Sequence, residues 1–234
     1  RFIAELANGF PQMAVLGAQQ GDGRDIINSA EQVLDRVIWG GSTPNDEAQK
    51  ALEILSLFEW VGFRSQAAAE AAFVAEKLAG MPPAQFTDLI LGFRARGIIE
   101  VRGSFIQVLP VPLAARLGEN RLGRLSPEAL ISFFSDASEE LKSSLLRRMR
   151  WLDNSPTAKA FARALLAPEC LGNLAALNTE FGAKCFDRLV HVDPDRAAET
   201  IHRVLSPLTN DELKAIRDGR SYLIWALEKL AFRA

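Results

Sequence analysis

The chain has 234 residues, 48% of them hydrophobic and 24% charged, proportions of an ordinary globular protein that argue against a disordered or fibrous class. A chain of this length buries roughly 70% or more of its unfolded surface. Its formal charge of -2 offers no global attraction for nucleic acid or an anionic membrane, so any such binding needs a local patch.

No stretch approaches the ~20 apolar residues of a membrane span. The opening Arg1-Phe2-Ile3-Ala4-Glu5-Leu6 has neither an initiating Met nor the apolar run of a signal peptide, and reads as the interior of a helix in an excised piece. The two cysteines, Cys170 and Cys185, lack zinc-ligand spacing and are expected as buried thiols in a reducing, cytoplasmic compartment.

In chain order, Asn8-Gly9 closes a first helix and Pro11 opens the next, because Asn and Gly accept the left-handed closing turn and Pro suits a first turn. A helix carrying Ile26, Ile27, Val33, Leu34, Val37 and Ile38 follows. The breakers Gly40-Gly41-Ser42-Thr43-Pro44 end a helical subdomain placed at 1–46.

Residues 47–122 are expected to form a winged-helix-like domain. Helices are predicted from Glu47 to Phe58 and from Ser65 to Leu78, then from Pro82 with Phe86, Leu89, Ile90 and Phe93 at helical spacing until Gly97. Ile98 to Arg102 and Phe105 to Leu109 are rich in β-branched residues around Gly103-Ser104, a two-residue hairpin turn. Three helices followed by a hairpin is the order of a winged helix-turn-helix.

Residues 123–234 are read as helices at Pro127–Phe134, Ser138–Trp151, Pro156–Leu166, Leu171–Val190, Pro194–Leu205, Asn210–Arg217 and Ser221–Phe232, preceded by one at Leu113–Leu122. Ser126, Ser155, Asp193 and Thr209 stand as caps beside early prolines or acids. Short helices with short loops and no strict period predict an irregular α-solenoid. The fold class is therefore mainly α: a small helical domain, a winged helix with one β-hairpin, and a helical array.

This order resembles the part of STAND-type NTPases that follows their nucleotide-binding core. Asn8-Gly9-Phe10-Pro11 matches that family's Gly-x-Pro motif, and the segment from Ala51 to Leu117 matches its winged helix. The resemblance implies that Pro11 packs on the adenine of ATP or ADP with Gly9 allowing the turn, the nucleotide being held mainly outside this chain. A helix stop followed by a helix start explains the same four residues. It further implies a regulatory or sensor role, with a protein partner or sensed ligand on the helical array, oligomerisation and signalling, including antiphage defence. The phosphate-binding loop Gly-x-x-x-x-Gly-Lys-[Ser/Thr] has no match in the chain, nor does the family's Met-His-Asp motif.

The residues supply no catalytic constellation. His191 and His202 lack a metal-ligand partner at suitable spacing, and Cys185 with His191 does not repeat a hydrolase arrangement. No metal and no membrane partner are expected. The alternative is DNA binding. From Pro82 to Arg124 the arginines outnumber the acids by three, and Gln85, Arg94, Arg96 and Arg102 are the candidates for nucleic-acid or partner contact. Yet Phe86, Asp88, Leu89 and Ile90 occupy the stretch where base-reading side chains belong. Arg147, Arg148 and Arg150 are explained as a solvated helix end that complements the dipole, or alternatively as a ligand-facing patch.

Overall fold

The computed structural model describes residues 30–232, so Gly9 and Pro11 lie outside the described residues. The chain divides into two compact units, Arg1–Arg121 and Leu122–Ala234. The fold is mainly helical, with one small antiparallel sheet.

In the first unit the described elements are α1 (Ala30–Trp39), α2 (Asp46–Leu55), β1 (Val61–Gly62), α3 (Ala68–Val74, continued by a wide turn at Ala75–Ala79), α4 (Pro83–Leu91), β2 (Ile99–Arg102), β3 (Phe105–Val108) and α5 (Val111–Leu122). Asn45 starts α2 by accepting from the Ala48 N–H at 2.8 Å, with Asp46 and Glu47 placed to favour the positive helix end. Gly97 closes the turn after α4 at a φ of 70°, and Gly103 turns the hairpin at 58°, positions where a β-carbon would be strained.

The hairpin predicted from the sequence forms with Arg102 opposite Phe105 and Glu100 opposite Gln107. The structure adds a strand that the sequence reading left out. β1 pairs antiparallel with β3, Val61 against Ile106 and Gly62 against Phe105, giving the order β1-β3-β2. Two residues are too few to show a strand period, which is why α2 was expected to run on to Phe58 when it stops at Leu55. The Gly62 N–H donates to Glu70 Oε2 at 2.8 Å, a side-chain contact that occupies a backbone donor of this short strand. Leu52, Leu55, Phe58, Val61, Phe86, Ile90, Ile106 and Val108 are all buried behind the sheet and helices. Trp39 of α1 meets Phe93 edge-on at 5.6 Å.

The second unit is an array of α6 (Pro127–Asp136), α7 (Glu139–Met149), α8 (Pro156–Leu165), α9 (Leu174–Leu177), α10 (Glu180–Leu189), α11 (Pro194–Leu205), α12 (Asn210–Ala215) and α13 (Arg220–Ala231). Ser126, Ser155, Asp193 and Thr209 cap their helices as the sequence predicts. α6 packs on α8, while α10 packs on α7, α9, α11 and α13. Leu130, Phe133, Leu145, Phe161, Leu177 and Phe186 fill the core.

Three expectations are corrected here. The helix predicted over Leu171–Val190 is two helices, because Thr179 Oγ1 accepts from the Gly182 N–H at 3.0 Å and donates to the Ala176 carbonyl at 2.7 Å, capping α10 instead of continuing α9. Cys170 is exposed; only Cys185 is buried. Cys170 sits in the turn between α8 and α9, where its N–H donates to the Ala167 carbonyl at 3.0 Å, so it has no helix face to bury. Arg148 is not solvated at a helix end but 3% exposed, on the inward side of α7.

Candidate functional site

The surface that would meet a nucleic acid in a winged helix is α4 followed by the hairpin. α4 opens with Pro83 at its first turn and buries Phe86 and Ile90. That face commitment leaves Ala84 and Asp88 exposed. No Lys or Arg lies within Pro83–Leu91, so this helix offers base readout only the Gln85 amide and the Thr87 hydroxyl, and no cation.

Of the sequence candidates, Gln85 lies on this helix three residues before Asp88, and the three arginines lie beyond it. Gln85 Nε2 donates to Glu47 Oε2 at 2.8 Å. Arg94 is exposed in the turn Arg94–Arg96 beyond α4. Arg96 reaches back to α1 and its following turn, with Nη1 donating to the Ile38 carbonyl at 2.5 Å and Nη2 to Ser42 Oγ at 3.1 Å. Arg102, at the end of β2, keeps 74% of its side chain exposed and pairs through Nε with Glu100 Oε1 at 3.0 Å.

Of these four, Arg102 belongs to a cavity. Glu59, Trp60, Arg102, Phe105, Ile106 and Gln107 line a space of about 430 Å³ beside the sheet. Side chains alternate across a strand, so Glu100, Arg102, Phe105 and Gln107 share the face opposite the core, whereas Ile99, Ile106 and Val108 are buried. Trp60 precedes β1, and extending its register by one residue sets Trp60 abreast of Gln107. Phe105 and Gln107 lie in the predicted hairpin strand without being marked as site residues, and Trp60 carries no local signal, because Trp60-Val61-Gly62-Phe63 shows no polar-apolar alternation.

In the array, Arg150 stacks over Trp151 at 5.1 Å, and α13 turns Ile224, Trp225 and Leu227 outward. Burial pushes the Cys185 thiol up to about 12 against the pull of Arg188, so it is a poor nucleophile. Among the described residues no group of three or more His, Cys, Asp or Glu is placed to hold a metal ion. No helix among them is long and apolar enough to cross a membrane.

Comparison with protein-family models, with curated proteins and with solved structures returns no match.

Proposed function

We propose that the chain is a non-catalytic regulatory and sensor module of a STAND-type signalling NTPase, working in the cytoplasm. In this reading the winged helix makes protein contacts, the helical array receives a partner or sensed ligand, and ATP or ADP is bound mainly by another part of the parent protein. Nucleotide state and sensing would then bias one closed-to-open equilibrium, a reciprocal coupling typically worth about 1–3 kcal/mol. Antiphage defence and oligomerisation are outputs consistent with such a module.

The observation that carries the protein-contact role is the outward face of α4. Its Asp88 is exposed and the helix has no cation, so a phosphate backbone finds little there to neutralise. The outward Ile224, Trp225 and Leu227 of α13 add an apolar surface of the kind that protein partners cover.

Two measurements test it. In the parent protein, Pro11→Ala weakens ADP affinity by about tenfold or more, equal to roughly 1.4 kcal/mol; unchanged affinity removes the NTPase reading. The chain itself shows no anisotropy change with a duplex DNA at low salt. Tight binding that falls steeply with salt would instead favour the alternative, a winged-helix transcription regulator.

A further inference from the structure

The cavity on the wing sheet has features that neither a packing role nor the protein-contact role of α4 uses. Its lining includes two aromatic residues, Trp60 and Phe105, the latter 40% exposed although it is a large apolar residue. An aromatic on the solvent side of a strand has the flat face that a second ring can stack on.

Beside the rings stands an ordered polar set. Glu100 divides its carboxylate between two neighbours: Oε1 pairs with Arg102 Nε at 3.0 Å, and Oε2 accepts from Gln107 Nε2. Using Nε on Glu100 leaves the paired terminal nitrogens of the Arg102 guanidinium as donors. Committing Nε2 of Gln107 fixes which way its amide is turned, so its carbonyl oxygen stands on the side away from Glu100 as an acceptor. The site thus offers neighbouring donors and an acceptor on one face of the sheet.

Charge narrows the ligand further. Glu100 offsets Arg102, so a phosphate gains little inside the pocket and the group held there is the uncharged part of a ligand. A neutral, flat ring with donors and acceptors along its edge fits all three properties. Nucleobases are such rings: they stack on aromatic side chains and are read along their edges by arginine and amide groups. The volume of about 430 Å³ falls within the roughly 300–1,000 Å³ of small-ligand sites.

We propose that the pocket between Trp60 and Phe105 is a nucleobase-binding site, with Arg102 and Gln107 reading the edge of the ring. The base comes from a free nucleotide or from an unpaired position of a single strand. This site stands whether or not the module belongs to an NTPase.

The test titrates the 234-residue chain with adenosine, guanosine, cytidine and uridine 5′-monophosphates and with a short single-stranded RNA of mixed sequence, following heat and backbone amide NMR shifts. At least one probe binds at one site with a Kd below about 1 mM, shifting the amides of β3. Phe105→Ala and Gln107→Ala each weaken it by about tenfold with unchanged circular dichroism. If Phe105→Ala unfolds the chain, Arg102→Ala, altering a side chain that is 74% exposed, decides in its place. Equal affinity for a monophosphate and the RNA assigns a free nucleotide; binding of the RNA alone assigns a strand. Silence from every probe, or binding that the variants leave intact, overturns the proposal.

Discussion

Arg163 Nε donates to Asp193 Oδ2 at 2.6 Å, joining α8 to the start of α11 across thirty positions of sequence. The same carboxylate uses Oδ1 to accept from the Arg196 N–H at 3.1 Å, so one side chain both caps a helix and ties it to a neighbour. Arg163 is largely exposed while the Asp193 side chain is 5% exposed, so the pair itself is screened and the cap carries more of the effect. Asp193→Ala should lower the unfolding free energy by about 1–3 kcal/mol. Asp193→Asn keeps an acceptor for the cap and should cost about half as much. Urea midpoints measure both, and an Ala variant as stable as the parent would refute the double role.

Gly182 makes a prediction whose sign runs against helix propensity. Gly to Ala inside a helix ordinarily gains about 1 kcal/mol. Here a β-carbon would stand 2.1 Å from the Ala176 carbonyl oxygen, because α9 ends directly over the first turn of α10. Backbone must shift, and Gly182→Ala should destabilise by about 1–3 kcal/mol. Thermal or urea unfolding that shows the variant gaining stability would mean the two helices are not packed so closely.

That junction also shows where the sequence was and was not legible. Ser126, Ser155, Asp193 and Thr209 announce their helices because a cap acts locally, through the N–H three residues on. The break at Thr179 also has a local cap, but Leu174, Leu177, Phe181, Ala183 and Cys185 continue a helical apolar pattern through it and hide it. β1 could not be read from two residues, since its pairing with β3 is set some forty positions away. The hairpin was legible from Gly103-Ser104 and its β-branched flanks. For the pocket, Arg102 stands out as a cation and Gln107 follows from the hairpin register, while Trp60 reaches it only through the β1 pairing. Gln85 and Arg96 were singled out by residue type, yet their partners on α2 and α1 emerge only from packing.

The cysteines divide by accessibility. Cys170 is exposed and Cys185 buried, with the Cys185 thiol held up to about 12 by desolvation. The thiolate is the reactive form. Iodoacetamide at mildly alkaline pH should therefore add one group to the native chain, at Cys170, and two after denaturation, read by intact mass and peptide mapping. Native labelling of Cys185 at a comparable rate would show that α10 opens more readily than its packing against α7 and α13 implies.

Glu212 supplies the pH dependence. Its carboxylate accepts from the Thr209 N–H and from the Thr209 hydroxyl, each at 2.8 Å, and the Thr209 hydroxyl oxygen accepts in return from the Glu212 N–H at 3.3 Å. The backbone hydrogen bond, then the hydroxyl, hold the carboxyl below its ordinary value of 4.5. A depressed folded value means that ionised Glu212 favours the folded state above the unfolded pKa, and that this contribution fades as pH falls through the folded one. NMR titration of the Glu212 side-chain carboxyl should give a midpoint below 4.5, moving up towards the ordinary value in Thr209→Ala. The stability difference between the parent and Glu212→Gln, whose amide retains an acceptor for the capping box, should be present at neutral pH and shrink in acid. A midpoint at or above the ordinary value in the parent would show that the box does not hold α12 in solution.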